Sequence, residues 1–108
     1  MKIQIRGRSM KWTKRLRAQV ERRLGFALCR FGEKIGRVTV RFSDARTKRA
    51  MVDKRCQLDV ELRSQTLRVE HTDTDLLGAL DRAADHASRS VARELERHRE
   101  WDDGRPRR

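Results

Sequence analysis

The sequence predicts a two-layer α+β domain of order β-α-β-β-β-α, in which a four-stranded mixed sheet carries two helices packed on one face. Three observations predict it. Four short segments alternate apolar and polar residues at a period of two, so each brings a single apolar face to a sheet. Two longer segments, residues 13–31 and 73–101, repeat apolar residues at spacings of three and four, as an amphipathic helix does. The 108 residues suffice for one domain and leave no room for a second. A sheet with one apolar face needs cover on one side only, and two amphipathic helices supply it.

Each element follows from local pattern. In KIQIR (residues 2–6), Ile3 and Ile5 share one face while Lys2, Gln4 and Arg6 share the other. Residues 7–12 turn the chain, and Thr13 can cap a helix running to about residue 31. The core face of that helix is Leu16, Val20, Leu24, Ala27, Leu28 and Phe31, flanked by Arg15, Gln19, Arg22, Arg23, Phe26 and Arg30. Gly25 lowers its helix propensity by about 1 kcal/mol relative to Ala without ending the pattern. Gly32 and Gly36 bracket a loop, after which residues 37–43 alternate with Val38, Val40 and Phe42 inward. Residues 44–53 have no period and carry Arg46, Lys48 and Arg49, which predicts an exposed basic loop. Residues 54–62 point Cys56, Leu58, Val60 and Leu62 inward, and a polar turn at 63–65 leads to residues 66–71, with Leu67 and Val69 inward, as a hairpin. The first two strands should pair in parallel across a right-handed crossover, the others antiparallel.

The last helix, 73–101, buries Leu77, Leu80, Ala84, Ala87, Val91 and Leu95 and sets Arg82, His86, Arg89, Arg93 and Arg97 on the opposite side. Thr72 or Asp73 can cap it, and Asp73, Asp75 and Asp81 place negative charge near its positive end. Residues 1–101 thus form the domain, and 102–108, with the only proline, a flexible basic tail.

Charge narrows the function. The net charge is +12, with 41% charged and 36% hydrophobic residues. Residues 1–31 carry ten Lys/Arg against one Glu, a net +9, whereas the last helix carries five against seven, a net −2. A polyanion is the expected partner, nucleic acid ahead of a membrane surface. No apolar run approaches the roughly 20 residues that span a bilayer, and the N-terminus lacks the apolar core of a signal peptide. The expected location is the cytoplasm, with Cys29 and Cys56 as reduced thiols.

Catalysis has little to work with. His71, His86 and His98 form no H-x-x-x-H pair, no C-x-x-C occurs, and GEKIG lacks the spacing and the Lys-Ser/Thr of a phosphate loop. His71 reads as a hydrogen-bonded strand-edge residue rather than a ligand. On the sheet's open face Asp59 and Glu61 alternate with Arg55, Arg63 and Arg68, the pattern of exposed ion pairs. No enzyme activity, cofactor, metal or small-molecule substrate is expected.

Nucleic-acid binding fits better. Arg outnumbers Lys, and its planar fork binds phosphate bidentately and stacks on bases. Two helices on one side of a sheet must lie side by side, so the Arg15–Arg22–Arg30 flank is expected to adjoin the Arg82–Arg89–Arg93–Arg97 row. Phe26, within the basic flank, either stacks on a base or packs at a helix edge; edge packing is the simpler expectation. Nothing has the form of a groove-reading DNA helix or a GXXG clamp, which favours shape and phosphate reading of folded RNA.

The pieces KIQIRGR (2–8), T-x-x-L-R-x-x-V-E-R-R-L (13–24), RFG (30–32), VTVRFSD (38–44), VDKRC (52–56) and DTDLLGALDRAAD (73–85), in this order and spacing, resemble the short ribosome hibernation promoting factors and ribosome-associated inhibitor A proteins. The resemblance spans residues 1–99, and the family fold is the same β-α-β-β-β-α. It implies binding to the small ribosomal subunit and its rRNA between head and body, in the channel for messenger and transfer RNA, silencing translation in stationary phase or under stress. It also implies rRNA contacts by Arg22 and Arg23 on the first helix and Arg89 and Arg93 on the second. His86 stands where the family has Lys, Gln19 and Leu77 replace tyrosines, and residues 45–51 lack the glycines of relatives. The ribosome-dimerising domain of long members and the acidic extension of inhibitor A are expected to be absent, and the chain to be monomeric off the ribosome. The alternative is a general structured-RNA module that binds duplex RNA without preference for ribosomes.

Overall fold

Thr13 sets the start of the first helix: its Oγ1 accepts from the Leu16 amide at 3.0 Å, satisfying one of the four amides a helix start leaves free. In the computed structural model, which describes residues 1–7, 12–46 and 52–104 with side chains to residue 98, the chain runs β1 (Lys2–Gly7), α1 (Lys14–Leu28), a 3-10 segment (Cys29–Lys34), β2 (Ile35–Arg46), β3 (Val52–Leu62), β4 (Thr66–Asp73) and α2 (Leu76–Gly104). The sheet order is β1-β2-β3-β4, with β1 and β2 parallel and the other pairs antiparallel. The predicted order and fold class are therefore the observed ones.

Register turns the period-two pattern into rows. Ile5, Val40, Leu58 and Val69 stand side by side across the four strands, and Ile3, Val38, Val60 and Leu67 form the next row. Val20, Leu24 and Leu28 of α1 and Leu80, Ala83, Ala87 and Val91 of α2 close over these rows in one core. α2 lies over β3 and β4, with α1 alongside it. Trp12, just before α1, packs against Phe42 with ring centroids 5.6 Å apart.

Several boundaries differ from the expected ones, each for a local reason. α1 ends at Leu28 rather than near residue 31, and the chain tightens into 3-10 turns up to Gly32, whose φ of 54° favours glycine. Phe31 stays half-buried against the core all the same. Ile35, expected in a loop, is buried at the start of β2. A register shift between Ile35 and Val38 lets two residues three apart both point inward.

Of the expected basic loop at 44–53, residues 44–46 and 52–53 are strand instead. The ladder continues through Asp44↔Lys54, Ala45↔Asp53 and Arg46↔Val52, beyond the apolar rows, because main-chain pairing needs no hydrophobic alternation. Lys48 and Arg49 lie outside the described residues. Likewise β4 extends to Asp73, so the cap of α2 is neither Thr72 nor Asp73 but Asp75, whose Oδ2 accepts from the Gly78 amide at 3.0 Å. Asp73 orients it, accepting from the Asp75 amide at 3.2 Å. α2 continues past residue 101 to Gly104, into the segment expected to be a tail; residues 105–108 lie outside the described residues.

Candidate nucleic-acid interface

α1 carries its core stripe toward the sheet, so the residues one step around the helix face α2. Gln19, Arg22, Arg23, Phe26, Ala27 and Arg30 do so, and with Asp81, Ala84, Asp85 and Ser88 of α2 they line an open groove of about 680 Å³. Arg23 pairs with Asp81 across the groove. Arg30 Nη2 donates to Ser88 Oγ at 3.0 Å, and the guanidinium lies 4.6 Å from the centre of the Phe31 ring. Arg22 and Arg15 are exposed, and neither is ion-paired among the described residues. Phe26 is 89% exposed: the edge packing expected of it does not occur.

The α2 row lies elsewhere. With Leu80, Ala83, Ala87 and Val91 buried, 3.6 residues per turn put Asp81, Ala84 and Ser88 on the α1 side and Arg82, His86 and Arg93 on the β4 side. Contacts agree: Arg82 Nε lies 3.2 Å from Asp73 Oδ2, and His86 Nδ1 lies 2.9 Å from His71 Nε2. Arg89 pairs with Asp85 at 3.2 Å and Arg97 with Glu94 at 2.6 Å. Arg93 is exposed without an ion pair among the described residues. The expected merger of the two arginine rows into one surface is thus corrected. An acidic and neutral seam of Asp81, Asp85 and Ser88 separates them, because each helix turns a different flank toward its neighbour.

His71 is the strand-edge residue that was expected. It stands in line with Phe42 and Cys56 across the sheet, and its ring meets His86 edge-on at 5.1 Å. Burial, then the neighbouring His86, Arg82 and Arg89, hold its pKa below the ordinary imidazole value, so it is neutral at pH 7. Among the described residues Glu94 is the one buried carboxylate: hydrogen bonds from Arg97, at 2.8 and 2.6 Å, are the largest cause holding its pKa below the usual range.

Sequence reasoning passed over a third basic area. On the uncovered sheet face, Lys2 stands beside Arg37 and Arg6 beside Arg41, with Gln4 and Thr39 between. All four cations are exposed, and none is in an ion pair among the described residues. The β3–β4 half of that face is instead self-neutralised, Arg68 donating to both oxygens of Asp59 at 2.8 and 3.3 Å. The signal was present as matched parity in KIQIR and RVTVR, which parallel pairing brings side by side. Among the described residues no cluster of three or more His, Cys, Asp or Glu is placed to hold a metal ion, and no helix is long and apolar enough to cross a membrane.

Residues 3–99 match the sequence profile of the family described as sigma 54 modulation protein / S30EA ribosomal protein. The chain belongs to this family. Among solved structures, the S30EA-family chain is similar to the N-terminal domain of Thermus thermophilus Protein Y, at 30% identity and a TM-score of 0.70, over 86% of this chain and 98% of that one. It shares its fold with a ribosomal subunit interface protein from Coxiella burnetii, at 18% identity and a TM-score of 0.73, over 89% and 99% of the two chains. No curated protein matches the chain. In this S30EA-family member Arg22 and Arg23 lie on the groove flank and Arg93 on the β4 flank, with Arg89 tied to Asp85 between them.

Proposed function

We propose that this S30EA-family protein binds the small ribosomal subunit through its rRNA and silences translation by occupying the messenger and transfer RNA channel under stress or in stationary phase. Family membership supports the ribosome as partner. The observation that carries the RNA contact is the set of exposed arginines on both helices. Arg15, Arg22 and Arg93 have no ion-pair partner among the described residues. Arg23 and Arg89 hold exposed carboxylates and can exchange them for phosphate at little net cost, whereas Arg30, Arg82 and Arg97 hold the half-buried Ser88 and Asp73 and the buried Glu94 while their own guanidinium groups stay exposed. His86 lies on the same flank as Arg82, turned toward His71 at 2.9 Å.

Co-sedimentation with purified ribosomes tests the reading. The protein should pellet with small subunits and inhibit a purified translation reaction, and Arg89→Glu with Arg93→Glu should abolish both. Full binding by that double variant would remove α2 from the interface, and equal affinity for random duplex RNA and for ribosomes would favour the general RNA-binding alternative.

A further inference from the structure

The geometry points to a nucleobase site in the groove between α1 and α2, in which an unpaired RNA base stacks on Phe26. It rests on the RNA-binding reading and specifies what the groove, as distinct from the arginine rows, would hold.

A phenylalanine 89% exposed in the last turn of α1 loses apolar contact that folding normally secures, and of this chain's large hydrophobics with described burial none is as exposed. The surroundings decide what would cover it. Arg22 and Arg30 lie on the same groove wall, and cations beside an exposed ring suit a π-faced ligand joined to phosphates. The facing wall is Asp81, Asp85 and Ser88, which already meet Arg23, Arg89 and Arg30 respectively, and each of the two carboxylates keeps further lone pairs with which to accept. A phosphate set between these carboxylates would be repelled, whereas the edge of a base bearing an amino group would be accepted. The groove volume, about 680 Å³, is ample for one base and its sugar. A flanking phosphate would then reach Arg22, which has no ion pair among the described residues. A greasy protein anchor would also cover Phe26, but it would gain nothing from a rim of arginines facing carboxylates.

The test is fluorescence anisotropy of the full chain with labelled single-stranded oligocytidine, measured as a salt series. Phe26→Ala and Phe26→Leu should each weaken binding roughly tenfold to hundredfold. Phe26→Trp should retain wild-type affinity, and its added tryptophan emission should be quenched by RNA. Stacking releases no counterions, so the log–log salt slope of Phe26→Ala should match the wild type, whereas Arg22→Ala should lower it by about 0.7. Wild-type affinity in Phe26→Ala overturns the inference, and so does wild-type affinity in Phe26→Leu, which would mark a merely apolar contact. Because the charge-reversal variants are read separately on ribosomes, a silent Phe26 alongside a sensitive Arg89/Arg93 pair would sink this site and leave the proposed function standing.

Discussion

His71 shows how one side chain couples the fold to pH. Its pKa is lowered in the folded chain, by burial first and then by His86, Arg82 and Arg89, so the unfolded chain binds a proton more readily near pH 6. Stability linked to His71 is therefore complete above the ordinary value of 6.5 and is lost as pH falls below it toward the folded value. Melting temperature should decline from pH 7 to pH 5, and His71→Gln should flatten that decline; an unchanged slope in the variant would show that the His71–His86 contact carries no linkage. The two cysteines contrast in the same way. Cys56, buried between Phe42 and His71 in its row, has a thiol pushed up to about 12 by burial and is inert, whereas Cys29 is exposed at the end of α1. That assignment was readable from strand parity and helix phase. The exposure of Phe26 was not, because its flank borders both the core stripe and the groove, and only the position of α2 decides between them.

At the level of elements, the apolar periods located all four strands and both helices because burial against one shared core dictates them. The ends escaped wherever something other than apolar burial set them. β2 and β3 continue past the core on main-chain pairing, Ile35 is turned inward by a bulge, and α2 waits for Asp75 because β4 still holds Asp73 in register. Gly25 offers a direct check on α1. It sits in the helix interior, and a Cβ built there meets nothing within 4 Å. Gly25→Ala should stabilise the chain by about 1 kcal/mol, raising the melting temperature by about 4–6 °C. Gly32→Ala, at a φ of 54°, should lower it. A neutral Gly25→Ala in thermal denaturation would mean that α1 is frayed there in the native state.

Across the molecule, three clusters of exposed cations stand out among the described residues: the groove flank of α1, the β4 flank of α2, and the β1–β2 half of the open sheet face. Each was partly legible, since every arginine row follows from a helical or strand period. Their relation to one another was not, because the period of one helix is silent about which flank it shows its neighbour. Asp81 and Asp85 fall on that flank, and they turn an expected continuous cationic surface into two arms around an acceptor-lined groove. Two arms on one rigid core suit a partner whose phosphates approach from two directions, as in a channel walled by folded RNA. Equilibrium binding of the labelled protein to purified small subunits, with Arg22→Glu, Arg93→Glu and the two combined, tests this most directly. Each single reversal should weaken binding about tenfold or more and the pair should approach the product of the two losses, since the arms act at separate sites; wild-type affinity in the combined variant would contradict the account.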